Sequence, residues 1–421
     1  MSINKKKVDE RIFYLTFIFV LALFSSVFLL SLFKIVNSWT FSQAHVNYFD
    51  GYVKRGLFGT LMLLIEEITG FSTRKFFSFF FIILTTANIL LFFLLIKKFS
   101  RNYLLFFFLA LNPTLILFQF NDLGGYQRFD SLSIFLILLH SLISYNVNIE
   151  KVDLKFYKKI LYLIIFPVFI FSLFVHEIIA FSIFFHIFLT FKTIKKKRLL
   201  NITPYFFLFG LILFILIFPE NNLALEKLNK LAHDRGLFLE AMIYASSFSS
   251  VNSHIAEFNQ NFFILYNAKI HFFFIFIATI LLTIIPIYLK NKKYLVFSKS
   301  DFIISFTLIA PYLIFFAIGD SGRWISLISF TSLGIFCQYE ISKKFYNPSF
   351  ANYNLKKKII YTIISITIFV LCFFIRLPHC CNLEEKKITI WGGISSKILI
   401  LSKILKKDKN DFYDLDKRFK N

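Results

Sequence analysis

The segment that decides the fold lies between the first two long apolar runs and reads Asn47-Tyr48-Phe49-Asp50-Gly51-Tyr52-Val53-Lys54-Arg55-Gly56-Leu57-Phe58-Gly59. It combines a carboxylate, two cations and three glycines in a chain that is otherwise mostly apolar. Charged groups are costly inside a bilayer, so the segment predicts a connection outside the hydrocarbon core. The apolar runs on either side of it then become candidate membrane passes.

The composition of the whole chain predicts a membrane protein with many passes. Of 421 residues, 57% are hydrophobic and only 17% are charged, and the mean hydropathy is +0.69. Charged residues alone make up about a quarter of ordinary soluble domains. The net charge of +23 comes from short Lys and Arg clusters between apolar runs, which is typical of topology signals. We therefore expect the lipid bilayer as a partner and no nucleic acid.

Eleven apolar runs approach the ~17–25 residues that span a bilayer. They cover residues 12–35, 76–96, 103–120, 131–148, 160–176, 177–191, 202–218, 271–289, 302–319, 324–341 and 358–375. The predicted fold class is all-α: a polytopic transmembrane helical bundle of about 11 passes. Residues 1–375 form one predicted integral membrane domain. Residues 376–421 form a basic C-terminal tail, in which 397–407 has the apolar and cationic faces of an interfacial helix.

Alternate connections between the runs carry the excess of Lys and Arg, which assigns them and the N-terminus to the cytoplasm. The apolar stretch 160–191 has strongly basic segments on both flanks, and these belong on the same side. Two short passes that meet at His176-Glu177 satisfy this requirement better than one long tilted helix. After eleven passes the C-terminal tail should be extracytoplasmic, but it is rich in Lys and Arg. Either the tail lies along the membrane interface or one pass has been miscounted.

The predicted outer connections carry mixed charges, whereas the inner ones carry mainly Lys. The outer groups are Asp50, Lys54 and Arg55 in the first connection, Asp122, Arg128 and Asp130 in the second, His176 and Glu177 in the hairpin, and Asp320 and Arg323 in the fifth. Mixed charges at helix ends usually mark a site, so we expect these residues to line one extracytoplasmic cavity. An ion pair between Asp320 and Arg323 that caps a helix is the structural alternative.

An amphipathic helix follows Asp50. Leu57, Leu61, Leu64, Ile65 and Ile68 recur at helical spacing, with polar residues on the other side, which predicts a helix on the outer membrane surface. The three glycines nearby would permit a tight turn or the close approach of a ligand. In the structural alternative, Asp50 and Lys54 pair across one turn and cap this helix.

Nothing in the sequence requires a metal ion or another cofactor. His176-Glu177 lacks the second histidine of the HExxH zinc motif, because Ala180 stands four residues after His176. The four cysteines have no zinc-type spacing. His140 and His186 are isolated on apolar runs, and we expect them to be core histidines with satisfied hydrogen bonds.

The layout resembles the GT-C class of polytopic glycosyltransferases, which have an Asp in the first outer loop followed by an amphipathic surface helix. Asp50-Gly51-Tyr52-Val53-Lys54-Arg55-Gly56-Leu57-Phe58-Gly59 and Asp320-Ser321-Gly322-Arg323-Trp324-Ile325 also look like segments of bacterial membrane proteins encoded with surface-polysaccharide genes. The resemblance implies that Asp50 is the general base and that Arg128 and Arg323 hold the carrier phosphate. The class often has paired acids in this loop, whereas here Asp50 stands alone and Glu66 and Glu67 lie well downstream.

The resemblance implies an enzyme of the bacterial inner membrane with an extracytoplasmic active site. It would be a glycosyltransferase or glycan polymerase that moves sugar from a polyprenyl-(pyro)phosphate carrier to a glycan acceptor. Such a reaction needs a carboxylate to take the acceptor's proton and cations to stabilise the leaving phosphate. The alternative is a transporter or flippase of lipid-linked glycans, whose ionisable residues and broken helices usually lie near mid-membrane.

Overall fold

In the computed structural model, every regular element among the described residues is a helix. The structure describes residues 2–33, 38–100, 102–121, 127–194, 203–217, 222–239, 242 and 321–339, together with helical residues scattered between 355 and 370. Four of the described helices are long and apolar enough to cross a membrane, and they cover Glu10–Leu29, Thr73–Phe99, Asp130–Asn148 and Leu154–Val175. The predicted all-α class is confirmed.

The helices are numbered in chain order. They are α1 (Ser2–Phe33), α2 (Ser38–Gln43), α3 (Gly56–Thr69), α4 (Thr73–Ile96), α5 (Tyr103–Ala110), α6 (Ile116–Asn121), α7 (Asp130–Asn148), α8 (Leu154–Ile160), α9 (Phe166–Val175), α10 (Ile183–Ile194), α11 (Thr203–Ile217), α12 (Asn222–Arg235) and α13 (Ser321–Cys337). A 3₁₀ turn at Lys97–Phe99 extends α4, a π-helical turn at Leu161–Ile165 joins α8 to α9, and a 3₁₀ helix at Glu177–Ser182 leads into α10.

Eight of the predicted passes fall on described residues, and each coincides with helical structure. The predicted passes 271–289 and 302–319, most of 358–375 and the tail 376–421 lie outside the described residues. The number of passes therefore stays a prediction. The predicted hairpin is present as two helical segments, because α9 ends at Val175 and His176 adopts an extended backbone before the chain turns into the next helix.

The central helix, α7, contacts α4, α10 and α13. Its first residue, Asp130, is bonded to Arg323 at the start of α13, and Ser144 near its end is bonded to Gln338 just after α13. The helices α7 and α13 are therefore parallel. We call the two ends of the bundle the Asp130 end and the Asn148 end.

Predicted passes that follow one another in sequence run in opposite directions where contacts define them. Ser78 in the first half of α4 donates to the Ser31 carbonyl near the end of α1, while Phe93 near the end of α4 packs on Phe13. The segment α8–α9 begins near the middle of α7 and ends beside Asp130, so it is antiparallel to α7. This alternation is the one that successive membrane passes require.

Prolines account for two irregularities in the apolar segments. The predicted pass 103–120 consists of α5 and α6, separated by a turn at 111–115 where Pro113 cannot donate a helical hydrogen bond. The Asn112 side chain accepts bonds from the backbone N–H and the hydroxyl of Thr114, which stabilises the turn. The π-helical turn between α8 and α9 lies just before Pro167, a common cause of local helix distortion.

Residues 44–48, which lead into the quoted segment 47–59 (the opening segment), pack their backbone directly against α3. A Cβ atom on Gly59 would lie 2.8 Å from the Ala44 carbonyl oxygen and even closer to that of Val46, so only glycine fits. The Tyr48 N–H donates to Thr60 Oγ1 at 2.8 Å, which fixes the same contact. Gly59 thus permits a close approach of the chain to itself. The sequence had suggested either a tight turn or the close approach of a ligand for the glycines.

The predicted amphipathic helix is α3, and its two faces have different neighbours. Phe58, Gly59, Met62 and Leu63 are buried against the protein. The predicted apolar stripe faces away from the bundle and is partly or fully exposed, with Ile68 79% exposed. The helix therefore presents an apolar surface outward while its opposite face packs on the bundle.

Candidate functional site

At the Asp130 end, a buried ion pair joins the first turns of two parallel helices. Arg323 Nε donates to Asp130 Oδ2 at 2.6 Å and Arg323 Nη2 donates to Asp130 Oδ1 at 2.7 Å. The side chains are only 17% and 8% exposed. Asp130 occupies the first turn of α7, where the helix dipole stabilises a negative charge. The bidentate geometry fixes the guanidinium plane of Arg323.

His176 lies beside this ion pair. Its Nδ1 accepts a hydrogen bond from the Ile178 N–H at 3.3 Å, and its Nε2 lies 3.4 Å from Arg323 Nη2. A neutral imidazole that accepts at Nδ1 carries its proton at Nε2. Two donors, from His176 and Arg323, then face each other, which favours an anionic oxygen that both can bind.

Several further features add positive charge at this end of the bundle. Arg128 contributes positive charge near the Asp130 carboxylate. The helices α7 and α13 and the 3₁₀ helix after His176 all begin here, and helix N-termini carry partial positive charge. Phe129 packs on Phe58 of α3 at 5.1 Å between ring centroids, which joins the opening segment to the site.

Asp50 lies on the surface of the same region and pairs with a distant residue. Its Oδ1 is 2.5 Å from Lys227 Nζ on α12, and the two side chains are 32% and 55% exposed. Lys54 is buried, and α3 begins after Arg55, a left-handed residue (φ 58°) without a side-chain cap. The structure thus differs from the alternative in which Asp50 and Lys54 cap α3, since the partner of Asp50 comes from α12.

A second ion pair attaches α12 to α3. Arg235 Nη1 lies 2.7 Å from Glu66 Oε2, and Glu66 Oε1 accepts the Thr73 N–H at the start of α4. Desolvation alone would raise the pKa of Glu66, but the hydrogen bonds from Arg235 and Thr73 outweigh it and hold the pKa below its ordinary value. Nearby, burial lowers the pKa of His45 to about 4. Sequence reasoning did not select Glu66, His45 or Lys227 as site residues.

A buried polar network lies deeper in the bundle. His140 Nδ1 is 2.8 Å from His186 Nδ1, and His140 Nε2 is 2.8 Å from the Tyr157 hydroxyl. Thr190 and Tyr205 continue the network, and the hydroxyls of both donate to the His186 carbonyl. His140 is satisfied as expected. His186 differs, because its Nε2 has no hydrogen-bond partner among the described residues.

The predicted site residues therefore divide into three groups. Asp130, His176 and Arg323 come together, with Arg128 nearby. Asp50, Lys54 and Arg55 belong to the neighbouring opening segment, and no contact joins Asp50 to the ion pair. Asp122, Asp320 and the side chain of Glu177 lie outside the described residues. Within the described part of the chain, no group of His, Cys, Asp or Glu side chains is arranged to hold a metal ion.

The ion-pair partner of Arg323 could not be predicted from the neighbouring sequence. The sequence suggested Asp320, three residues away, as its ion-pair partner, but Asp320 lies outside the described residues. The partner that the structure describes is Asp130. The pairing depends on the parallel packing of two helices far apart in the chain. Comparison of the chain with protein-family models, with curated proteins and with solved structures finds no match.

Proposed function

We propose that the chain is a bacterial inner-membrane transferase of the GT-C type that takes sugar from a polyprenyl-(pyro)phosphate carrier on the extracytoplasmic side. The observation that carries the proposal is the meeting of Asp130, His176 and Arg323, which come from three separate predicted outer connections. Such a group of donors at helix N-termini suits a phosphate. The Asp130 end would then face the extracytoplasmic side.

The proposed topology has about 11 passes and a cytoplasmic N-terminus. The alternating directions of the described helices agree with it. The exposed apolar stripe of α3, together with exposed Phe71, suits a helix that lies in the lipid interface at the Asp130 end. An interfacial helix beside the anion-binding groups would give a lipid carrier access to them.

In the proposed reaction, the acceptor hydroxyl loses its proton to Asp50 and its oxygen bonds to the anomeric carbon of the donor sugar. The bond from that carbon to the carrier phosphate oxygen breaks, and its electron pair leaves on the phosphate. Arg128, Arg323 and His176 stabilise the departing charge. Asp130 is not the base in this scheme, since both its oxygens are held by Arg323. Instead it orients the guanidinium of Arg323, whose positive charge stabilises the phosphate.

The binding part of the proposal is tested with purified full-length protein and a short-chain polyprenyl phosphate. Thermal stabilisation by the phosphate, but not by the corresponding polyprenol, is the expected result. Arg323→Lys should weaken it, because an ammonium cannot replace the bidentate fork. Arg235→Lys, which alters an ion pair at the same end on α12, is the matched control. Equal stabilisation by the alcohol, or full stabilisation of Arg323→Lys, would refute the phosphate site.

The catalytic part is tested with Asp50→Asn. The variant should abolish surface-glycan assembly while the protein remains in the membrane. Asp234→Asn is a matched control because Asp234 is also an exposed carboxylate, on α12. Unchanged glycan in Asp50→Asn would remove Asp50 as the base.

A flippase or transporter of lipid-linked glycans is the second candidate function. Two observations favour it: the broken helix at Pro113 and the buried pair His140–His186 deep in the bundle. Transporters commonly use such features near mid-membrane. In proteoliposomes, a flippase would move an intact lipid-linked sugar across the bilayer and would keep this activity in Asp50→Asn. A transferase would instead change the lipid chemically.

A further inference from the structure

The strongest feature outside the proposed site is the polar contact between α7 and α13, which continues from the Asp130 end towards the Asn148 end. Gly334 lies against Ser141, where a Cβ atom would be 2.5 Å from Ser141 Oγ. Gln338 Nε2 donates to the Ser141 carbonyl, and Gln338 Oε1 accepts from Ser144. Because these helices are parallel, the polar residues of α7 and α13 keep one register along this contact. We call it the α7–α13 seam.

The same register places Ser133 opposite Ser326, one turn inside the ion pair. Both residues are buried, and neither hydroxyl has a hydrogen-bond partner among the described residues. Thr331, further along α13, is buried in the same way with an unpartnered hydroxyl. A buried hydroxyl without a protein partner is usually satisfied by water. The seam is thus suited to hold water between the ion pair and the depth in the bundle at which His140 lies.

The histidine pair lies next to the inner part of this seam, since His140 precedes Ser141. Tyr157 from α8 bonds the His140 ring, and the rings of Phe169 and Phe185 pack on His186. Tyr205 from α11 bonds the His186 backbone carbonyl. The described hydrogen-bond partners and ring neighbours of the two imidazoles include no Asp, Glu, Lys or Arg. Burial without a counter-charge favours the neutral rings at rest.

We propose that the pair His140–His186 is an intramembrane site for one proton, which it exchanges with the Asp130 end through the α7–α13 seam. The neutral pair has two ring N–H groups, one of them shared between the Nδ1 atoms, which are 2.8 Å apart. An added proton gives both Nε2 atoms a hydrogen. The His140 Nε2–H then donates to the Tyr157 oxygen, and the Tyr157 hydroxyl turns towards Thr190 Oγ1 at 3.4 Å.

This arrangement explains the unpartnered His186 Nε2. When Tyr157 donates to His140, the shared proton belongs to His140 and His186 carries its hydrogen on Nε2. In the reverse arrangement, Nε2 is an acceptor. The partner of such a ring atom must be able both to donate and to accept, as the Tyr157 hydroxyl does for His140 Nε2. A water molecule can serve both states, because it both donates and accepts.

The proposal is tested by nuclear magnetic resonance of the full-length protein in lipid, with ¹⁵N-labelled histidine. The chain has eight histidines, and His140→Asn and His186→Asn assign the two signals. Acidification should shift both ring signals together, as expected for one shared proton. In Tyr157→Phe the joint shift should be lost or displaced. Tyr205→Phe should retain it, because the Tyr205 hydroxyl bonds the His186 carbonyl and Thr190 rather than a ring nitrogen. Rings that stay neutral wherever the protein remains folded, or that titrate independently, would overturn the site.

The route is tested separately by exchange of the ring N–H hydrogens with deuterated water. Ser326→Ala removes a seam hydroxyl and should slow this exchange. The matched control is Ser329→Ala, since the Ser329 hydroxyl is also buried on α13 but is bonded to the Ile325 carbonyl of its own helix. Equal exchange rates in the two variants would exclude the seam as the route. Neither measurement uses a glycan substrate, so both are independent of the proposed transferase activity.

Discussion

Gly59→Ala should destabilise the protein because of the contact between α3 and residues 44–48. The new Cβ atom would lie 2.8 Å from the Ala44 carbonyl oxygen and closer to that of Val46. Both neighbours are backbone atoms, so a side-chain rotation cannot relieve the clash. Overpacking of this kind costs about 1–3 kcal/mol. Loss of the Tyr48–Thr60 hydrogen bond as the segments separate adds about 1 kcal/mol.

Gly210→Ala provides the matched control. Gly210 lies inside α11, and a Cβ atom there meets no atom within 4 Å. Replacing a mid-helix glycine by alanine stabilises a helix by about 0.5–1 kcal/mol. The same chemical change should therefore have opposite signs at the two positions, with a difference of about 2.5–5 kcal/mol from these ranges.

Thermal unfolding of the two purified variants in the same detergent measures this difference. Gly59→Ala should unfold below the wild type and Gly210→Ala at or above it. A shift of α3 away from residues 44–48 should also disturb Phe129, which packs on Phe58 of α3, and so weaken polyprenyl phosphate binding. If Gly59→Ala unfolds at the same temperature as Gly210→Ala, the close backbone contact does not exist and the account of the glycines is wrong.

Three further predictions concern charge. Asp130→Asn or Arg323→Met should each lower the free energy of unfolding by about 3–5 kcal/mol, because each leaves a buried charge without its partner. The double variant should lose clearly less than the sum, and additive losses would contradict a direct pair. Because the folded pKa of His45 is lowered to about 4, stability should fall as the pH drops from 6.5 towards 4, and His45→Gln should flatten this dependence in unfolding measured across that range. Lys227→Met should change stability by less than about 1 kcal/mol, because its pair with Asp50 is exposed, and a larger loss in unfolding would show that α12 depends on it.

Hydropathy predicted the helices well, because apolar length is what a membrane-spanning segment needs. The spacing of charged residues along the chain predicted the ion pairs poorly. Asp50 was assigned a possible partner four residues away, and its observed partner, Lys227, lies on a distant helix. Local spacing detects pairs within a helix, but pairs between helices depend on which faces meet. Uniformly apolar passes carry little information about those faces.

Two features had sequence signals that the helix prediction did not use. Asn112-Pro113-Thr114 lies inside a predicted pass, and a proline preceded by Asn is a recognised signal for a turn. The break between α5 and α6 could therefore have been predicted. His140 and His186 were each interpreted alone, and only the packing of α7 against α10 shows that they bond to each other. An isolated polar residue on a predicted pass is better treated as one half of an unknown pair.

The interior of the bundle bears on the choice between the two candidate functions. Both place a lipid phosphate at the Asp130 end, but a transferase active only there has no chemical need for polar groups at the depth of His140. Each buried polar atom without a partner costs about 1–3 kcal/mol, and Ser133, Ser326, Thr331 and His186 all have one among the described residues. Apolar side chains of similar size would avoid this cost. Water in the seam would offset it, and a hydrated seam is of use mainly to a protein that moves protons or polar groups inward. Proton binding at the histidine pair would therefore favour the transporter over a purely surface-active transferase, whichever residue proves to be the base.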